Sequence, residues 1–309
     1  MAEFRPGSPD QEAFRADLFE AGLLIDSGVP GLYGRGGAFE GVMAGFERLV
    51  AAAGAEERPE VMRFPPLLPR RQLEDVNYLK SFPHLAGTVF SFAGDDAAAA
   101  EQEAHACAHE DWSGYQAMTD LVLVPAACYP VYPAIAARGA LPAGGIMVDA
   151  GPAYVFRHEP SGDPARMQMF HQREMVRLGE PEVVAAWRDS WRDRALGLLR
   201  GVGLDADFAV AADPFFGRAG RMLRASQLQQ ELKFEIQVQI AGPEPTAVAS
   251  FNYHQEHFAS VFGLRTAAGD TAHTACLGFG LERITLALFR THGLDLQAWP
   301  DEVRGRLLA

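Results

Sequence analysis

The sequence predicts an α+β fold in which helices flank an antiparallel β-sheet. Long segments with apolar residues at helical spacing, of which 38–53 and 180–201 are the clearest, predict the helices. Short runs with strand character outnumber the strand–helix–strand alternations that a parallel sheet requires. Two of these runs, 154–157 and 167–176, are separated by proline, serine, glycine and aspartate, which favour a turn. These two runs therefore predict a hairpin.

The N-terminal third combines helices with short strands. We expect helices over residues 10–24, 38–53, 71–80 and 95–109, and strands over 60–64 and 88–92. The strand at 60–64 ends before Pro65, because proline cannot donate to a β ladder. Five glycines and one proline between Ser27 and Gly37 predict a loop there.

The rest of the chain places the hairpin among further strands and helices. We expect a short buried strand over 121–124, an irregular proline- and glycine-rich region up to 145, a helix over 180–201, an arginine-bearing helical segment over 215–227, and strands over 232–240 and 247–251. Residues 274–289 combine a short strand, two glycines and a helix.

Composition and charge exclude several classes of protein. Of the 309 residues, 48% are hydrophobic and 22% are charged, which is typical of a globular protein. The net charge of −13, from 27 basic and 40 acidic residues, argues against a broad nucleic-acid-binding face. Three scattered cysteines are too few for a disulfide framework, the N-terminus lacks the features of a secretory signal, and no apolar run reaches the roughly 20 residues of a membrane span. We therefore expect a cytoplasmic protein with no membrane partner.

The predicted hairpin carries an unusual set of charged and aromatic residues. Arg157 and Glu159 are two residues apart, so on a strand they share one face, and Arg166, Phe170 and Glu174 recur every four residues. An aromatic ring beside arginines, with a basic loop that we expect to be mobile, indicates a phosphate-bearing ligand. The alternative is an exposed hairpin with a salt-bridged face, and the hairpin alone favours that alternative.

Three segments, taken in order, resemble the signature motifs of class II aminoacyl-tRNA synthetases. Residues 278–283, with the sequence Gly-Phe-Gly-Leu-Glu-Arg, resemble the third motif, and residues 156–170 resemble the second, which begins here with Phe-Arg-His-Glu. The helix and strand of residues 38–66 resemble the first motif, which forms the dimer interface in that family. The resemblance implies the class II fold, an antiparallel sheet flanked by helices, and a homodimer.

The resemblance narrows to the seryl branch of this class. Gln168, Phe170 and Glu174 are similar to the return strand of that branch, Cys128 stands where its serine enzymes have a glutamate, and Cys276 precedes the third motif. A Cys, Glu, Cys set binds zinc in the atypical seryl enzymes and in their truncated homologues, the amino acid:[carrier protein] ligases. No segment resembles a tRNA-gripping N-terminal domain or an anticodon-binding domain. The chain therefore resembles the ligases, and we expect no tRNA partner.

The resemblance also implies roles in ATP binding. In amino-acid activation a carboxylate attacks the α-phosphorus, and the charge that builds on the phosphate oxygens requires fixed guanidinium groups. Arg157 is the candidate for the α-phosphate and Arg283 for the γ-phosphate, and these are the two catalytic candidates. Phe170 would stack on adenine, Glu159 would accept from its exocyclic amine, and Arg166 would be a second phosphate contact. The alternative is a set of surface salt bridges.

A zinc site is implied at Cys128, Glu174 and Cys276. Two thiolates and one carboxylate leave the fourth tetrahedral position open, and a substrate α-amine can occupy it. The alternative is that buried cysteines serve as small hydrophobic residues. Cys107, outside the motifs, is interpreted as structural.

Magnesium is implied because ATP requires divalent cations. The resemblance places its ligands near Ser250 and Asn252, but Ala247 stands where an acidic residue is expected. Glu235 is the nearest in-register alternative, and Glu231 and Glu244 are lesser alternatives. The choice of magnesium ligands stays open.

Two further clusters are interpreted from their residue types and spacing. His254, His257 and His273 favour hydrogen-bonded structural roles over a second metal or a general base, and the sequence does not decide between them. Three arginines at three-residue spacing would present one basic edge to an acidic carrier protein, or would form a solvated helix face; they are Arg218, Arg221 and Arg224.

These features lead to one main functional hypothesis. The chain would be a single catalytic domain over 1–309, with 1–20 as an N-terminal extension and 213–230 as an inserted helical segment. It would activate a small amino acid, glycine or alanine by resemblance, with ATP and transfer it to the phosphopantetheine thiol of a carrier protein. The alternatives are a minimal seryl-type tRNA synthetase and a catalytically silent paralogue that acts as a binding or regulatory subunit.

Overall fold

The helices and strands are those of a computed structural model, which describes residues 4–309. The helices are α1 (Pro9–Glu20), α2 (Gly37–Gly54), α3 (Arg70–Asp75), α4 (Tyr78–Ser81), α5 (Asp96–Cys107), α6 (Val131–Ala136), α7 (Pro181–Gly201), α8 (Gly217–Gln229), α9 (His257–Phe262), α10 (Leu281–His292) and α11 (Asp301–Leu307). The strands are β1 (Leu24–Val29), β2 (Leu32–Arg35), β3 (Glu60–Val61), β4 (Leu67–Pro69), β5 (Thr88–Phe92), β6 (Gln116–Leu123), β7 (Ile146–Asp149), β8 (Ala153–Phe156), β9 (Met169–Gly179), β10 (Ala206–Val210), β11 (Lys233–Val238), β12 (Thr246–Gln255) and β13 (His273–Gly280).

The main sheet has the strand order β10-β11-β12-β13-β9-β7-β3. An additional strand, β8, pairs with β9 but is not part of this linear order. Its neighbouring strands are antiparallel except for β7 and β3, which are parallel. Smaller sheets are formed by β1 with β2 and by β4, β6 and β5. The predicted α+β class is therefore confirmed, with one parallel pair at the edge of the sheet.

One face of the main sheet is apolar and packs against helices. Phe251, Leu277 and Phe279 on β12 and β13 are fully buried, and the ring of Phe279 lies 5.9 Å from that of Phe46 on α2. Successive side chains of a strand point to opposite faces, so these residues alternate with the polar residues of the other face. Burial of each side chain of this size stabilises the folded protein by about 1.5–3 kcal/mol relative to leaving it exposed. This apolar face fixes the position of the polar one.

The prediction of a loop between residues 27 and 37 is wrong. The segment contributes to the hairpin of β1 and β2, in which Ile25 pairs with Gly34. Gly28 and Gly31 have φ angles of 78° and 77°. Glycine adopts positive φ at little steric cost, so here the glycines form the turn of a hairpin.

Other differences concern the limits of elements. The helix predicted over 71–80 is divided into α3 and α4, because Asn77 adopts a left-handed conformation with φ of 55°. The strand predicted over 60–64 is only the short β3, and β6 is longer and more exposed than the buried strand predicted over 121–124. Helix α6 forms in the region predicted to be irregular, and β7 and β10 were not predicted.

The ends of the chain join the same fold. Helix α1 contributes Phe14 and Leu18 to the core, and α8 lies within the predicted insertion at 213–230. Between residues 4 and 309, no helix is both long enough and apolar enough to cross a membrane.

Candidate active site

The polar face of the main sheet collects the candidate residues in rows. Glu235, Ser250, Gly278 and Glu174 are paired in register across β11, β12, β13 and β9. Residues that pair directly in antiparallel strands share one face of the sheet. The adjacent row consists of Lys233, Asn252 and Cys276. The sheet register therefore brings together residues that lie far apart in the sequence.

An open cleft lies over one end of these rows. The predicted nucleotide-binding residues that line it are Arg157, Phe170, Glu235, Ser250 and Arg283. Glu159, Arg166 and Asn252 lie outside this lining. The cleft thus contains both predicted catalytic arginines.

Backbone carbonyls hold the guanidinium group of Arg283 in the cleft. Its Nε donates to the Ala165 carbonyl at 2.8 Å and its Nη1 to the Ala247 carbonyl at 2.9 Å. The guanidinium carbons of Arg157 and Arg283 lie 5.8 and 6.0 Å from the centre of the Phe170 ring. A ring stacked on Phe170 would therefore be flanked by positive charge.

The buried positive charge of the cleft also favours the binding of an anion. Burial, with the nearby charges of Arg157 and Arg166, lowers the pKa of Arg283 to about 10. The group remains charged at neutral pH, but it is held in an environment that disfavours its charge. An anion that enters the cleft relieves this cost.

The segment that follows β8 differs from the expected strand. Because β8 ends at Phe156, Arg157 and Glu159 do not share a strand face; the Glu159 amide instead donates to the Arg157 carbonyl at 2.8 Å in a tight turn. Arg166 lies 3.9 Å from Glu159 and 3.8 Å from Asp163. The residues between Glu159 and Arg166 are largely buried, which argues against the mobility that we expected for this loop.

Lys233 and Gln172 line the cleft but were not among the predicted site residues. The Lys233 ammonium group is buried and contacts Asp213 at 2.6 Å and Glu235 at 2.9 Å. Burial opposes its charge, but the two carboxylates outweigh that effect and raise the pKa of Lys233. Gln172 accepts from the Ala127 amide at 3.2 Å. Lys233 alternates with apolar neighbours as ordinary strand residues do, and Gln172 lies between His171 and Arg173, so neither residue had a distinct sequence signal.

Beside the cleft, Cys128, Glu174 and Cys276 form a buried cluster. Their ligand atoms all lie within 4.8 Å of one another. Cys128 belongs to the turn before α6, and its amide donates to one Glu174 oxygen at 2.7 Å. The other oxygen of Glu174 is buried with no hydrogen-bond partner within residues 4–309. We call these three residues the metal-ligand cluster.

The metal-ligand cluster fits a zinc ion. Burial raises the pKa values of Glu174 and Cys128, and a hydrogen bond with Cys128 together with burial raises that of Cys276. Without a cation the three groups therefore disfavour their ionised forms, whereas a bound dication reverses this preference. Thiolates and carboxylates are both zinc ligands, and ligand atoms around a tetrahedral zinc are about 3.5–3.8 Å apart, given bonds of about 2.0–2.3 Å.

Of the three histidines, His254 and His273 are hydrogen-bonded, at different places. His254 is closest to the metal-ligand cluster, with its Nε2 3.6 Å from the Cys276 sulfur and its Nδ1 3.1 Å from the Thr274 hydroxyl. Burial lowers the pKa of His254 to about 3, so this ring is neutral. His273 bonds to the Tyr253 hydroxyl, and burial lowers the pKa of His257.

The predicted docking arginines lie on α8 and do not line the cleft. Arg218, Arg221 and Arg224 are all exposed, and none of them forms an ion pair with another described residue. Met222 and Leu223, between them, are 75% and 44% exposed. Cys107 is also exposed, on α5, so it does not join the buried cysteines.

Comparisons with known proteins extend over nearly the whole chain. The chain is 44% identical over 305 residues to amino acid–[acyl-carrier-protein] ligase 1 of Bradyrhizobium diazoefficiens, an alignment that covers 97% of this chain and 92% of the relative. It is 45% identical over 288 residues to ligase 2 of the same organism, covering 92% of this chain and 85% of that protein. A type-2 serine–tRNA ligase of Methanopyrus kandleri is 27% identical over 151 residues, 46% of this chain and 28% of that one. No protein-family model matches.

Solved structures show the same fold at low identity. The seryl-tRNA synthetase of M. kandleri, solved in complex with tRNASec of A. aeolicus, superposes with a TM-score of 0.80 at 20% identity over 95% of this chain. This chain spans 59% of that synthetase. Prolyl-tRNA synthetase of Giardia lamblia, in complex with prolyl-adenylate, gives a TM-score of 0.67 at 13% identity, covering 92% of this chain and 54% of that one. The predicted class II synthetase fold is therefore confirmed, and by its identity with the two Bradyrhizobium proteins the chain belongs to the amino acid–[acyl-carrier-protein] ligase family.

Proposed function

We propose that this protein is a cytoplasmic enzyme that activates a small amino acid with ATP and transfers it to the phosphopantetheine thiol of a carrier protein. The names of the Bradyrhizobium relatives support this reaction. The observation that carries it in the structure is the position of β9, which presents Phe170 to the arginine-lined cleft and Glu174 to the metal-ligand cluster. A nucleotide site and an amine site therefore adjoin.

The cleft is suited to the first half-reaction. The amino-acid carboxylate attacks the α-phosphorus of ATP, an aminoacyl adenylate forms, and pyrophosphate leaves. Arg157 would contact the α-phosphate and Arg283 the γ-phosphate, since both guanidinium groups lie beside Phe170, on which adenine would stack. Arg166 would be a second phosphate contact, and Glu159 would accept from the exocyclic amine of adenine.

Magnesium would bind at the floor of the same cleft. Glu235 and Ser250 are paired in register there, and Asn252 lies two residues further along β12. One oxygen of Glu235 is bonded to Lys233, so Glu235 has one oxygen left for a cation.

Zinc, held by Cys128, Glu174 and Cys276, would supply an open coordination position for the α-amine of the substrate. The chain orders this site by backbone contacts. Glu174 accepts from the Cys128 amide and Gln172 accepts from the neighbouring Ala127 amide, so β9 fixes the turn that carries the first cysteine. Orientation of the amine in this way directs the carboxylate toward the α-phosphorus.

Aromatic residues beside the metal-ligand cluster support a small amino acid as substrate. The rings of Tyr132 and Phe258 are stacked at 4.1 Å, and that of Tyr129 lies 5.5 Å from Phe258. These side chains, together with Cys128, belong to one core cluster. A bulky substrate side chain would have to displace them, whereas glycine or alanine would not.

In the second half-reaction the carrier thiol attacks the adenylate carbonyl, and a thioester and AMP are formed. The exposed arginines of α8, with Met222 and Leu223 between them, would dock the acidic carrier protein. We also propose a homodimer in which the open edge strand β3, with Val61 63% exposed, lies near the partner subunit. We propose no tRNA substrate.

Pyrophosphate exchange with a panel of amino acids tests the proposal. We expect exchange with glycine or alanine, followed by a mass increase on a phosphopantetheinylated carrier protein and none on tRNA. Absence of exchange with every amino acid would contradict the proposed activity. Charging of tRNA alone would instead favour a minimal tRNA synthetase.

A further inference from the structure

Backbone hydrogen bonds join the N-terminal segment, residues 5–15, to the loop between β8 and β9. The Arg5 amide donates to the Pro160 carbonyl at 3.1 Å, and the Gly162 amide donates to the Arg5 carbonyl at 2.8 Å. These bonds form a parallel bridge between Arg5 and Ser161. The Arg15 guanidinium group, on α1, donates to the Gly162 carbonyl at 2.9 Å.

The contact is so close that it requires glycine. A Cβ atom added to Gly162 would lie 2.5 Å from the Gly7 backbone nitrogen, and one added to Gly7 would lie 3.1 Å from the Gly162 carbonyl oxygen. A side chain at residue 162 would therefore push the two backbones apart.

The loop is buried and internally bonded. Ser161, Asp163 and Ala165 are 3%, 8% and 2% exposed, although loops normally lie on the surface. The Ser161 hydroxyl accepts from the Asp163 amide at 3.1 Å, and the Asp163 carboxylate accepts from the Ala165 amide at 2.9 Å. The Ala165 carbonyl then accepts from Arg283 in the cleft at 2.8 Å. A short series of hydrogen bonds thus connects the N-terminal segment to a predicted phosphate-binding arginine.

The other end of the loop is held by the hairpin of β1 and β2. The Gln168 amide donates to the Gly31 carbonyl at 2.7 Å, and the Gln168 side chain donates to the Pro30 carbonyl at 2.9 Å. The hairpin holds residue 168 and Ala165 packs in the core, whereas the N-terminal segment bonds directly to residues 160 and 162.

We propose that the N-terminal segment is a positioning element of the nucleotide site, in which Arg5 and Arg15 hold the loop so that the Ala165 carbonyl fixes the Arg283 guanidinium group. The inference rests on the proposed role of Arg283 in binding ATP. Arg157 and Arg166 repel Arg283, so a guanidinium group that loses its Ala165 acceptor moves away from the position where it meets the phosphates.

Two variants test this proposal in the full-length protein: Arg15→Ala removes the bond to Gly162, and Gly162→Ala separates the two backbones. We expect each to raise the KM for ATP about tenfold, the effect of about 1.4 kcal/mol, which is close to the lower end of the range for one hydrogen bond to a charged group. The KM for the amino acid and the bound zinc should change less than twofold. Arg15→Lys should restore part of the ATP affinity, because lysine also donates.

Asp10→Ala is the matched control, because Asp10 lies on α1 and bonds to Arg290 and to the Gly242 amide, each at 2.8 Å, without touching the loop. It should lower thermal stability as Arg15→Ala does and leave the KM for ATP unchanged. An equal rise of the KM for ATP in Asp10→Ala would overturn the inference. The inference would also be overturned if Arg15→Ala and Gly162→Ala both bind a non-hydrolysable ATP analogue with affinities within about twofold of the wild-type value. Calorimetric binding of the analogue and hydrogen–deuterium exchange of peptide 160–168 test the inference even if the wild-type protein catalyses no pyrophosphate exchange. Absence of pyrophosphate exchange would count against the proposed function alone.

Discussion

The metal-ligand cluster and the arginine-lined cleft lie side by side on one sheet but are built differently. The three residues of the cluster are completely buried side chains from distant segments, and they are placed by strand register and by one turn. In the cleft, Arg283 is instead held by the carbonyl groups of Ala165 and Ala247. The cluster depends on the core of the protein, whereas Arg283 depends in part on the loop between β8 and β9, which supplies the Ala165 carbonyl.

This difference predicts different consequences of mutation. Loss of one residue from the cluster leaves only two of its three donors for a metal. Loss of one arginine from the cleft leaves other cations beside the phosphates, so the effect should be smaller. The following predictions test this ranking.

Glu174→Ala should have the largest effect. We expect bound zinc, measured by elemental analysis, to fall from about one per subunit to less than about one tenth, because two thiolates alone bind weakly. Adenylate formation should fall by about a thousandfold or more, since orientation of the reactants can account for 10⁵-fold. Cys107→Ala, at the exposed cysteine, is the control and should change neither quantity. Retained zinc in Glu174→Ala would refute the metal assignment.

Arg283→Ala should have the second largest effect. Removal of one fixed charge from developing phosphate charge costs about 10²–10³-fold in rate. We expect that loss in pyrophosphate exchange, with zinc content unchanged. Arg290→Ala, on the exposed side of the same helix, should keep normal exchange. A loss of zinc in Arg283→Ala would mean that the two sites are not independent.

Charge reversal of Arg218, Arg221 and Arg224 to glutamate should affect only the second half-reaction. We expect the KM for the carrier protein to rise about tenfold at low salt, because complementary charge accelerates encounter, while pyrophosphate exchange stays normal. The same reversal at exposed arginines elsewhere, Arg71, Arg265 and Arg306, provides a control of equal charge. Unchanged thioester formation at low carrier concentration would exclude α8 as the docking surface.

The sequence predicted those parts of the fold that have a strong local signal. Helices α2 and α7 and the hairpin of β8 and β9 have clear periodicity and turn chemistry, and they form as expected. The segment 27–37 was mistaken for a loop because glycines that form a turn between strands look like glycines of a loop. Strands β7 and β10 are too short to have a distinct periodicity.

The candidate site was predicted only in part. Spacing did not connect Cys128 with Glu174 and Cys276, because sheet register brings them together; the family resemblance suggested them. Lys233 and Gln172 were missed because their roles depend on neighbours across the sheet. The N-terminal residues had no sequence signal, since Arg5 contacts the loop by backbone hydrogen bonds that almost any residue can make, and Arg15 is one of many arginines that could bond to a distant carbonyl.

Strand β9 has a consequence for the choice of substrate. Phe170 and Glu174 are four residues apart on one continuous strand, which sets about 13 Å between their Cα atoms at about 3.3 Å per residue. Because a paired strand cannot stretch, the proposed sites for the adenine ring and the amine would stay at a constant distance. A β-amino acid, whose amine lies one carbon further from the carboxylate, would place its reactive oxygen about 1 Å or more from the required position, and misplacement on that scale can cost about a hundredfold in rate. The strand would thus select α-amino acids by length as well as by size.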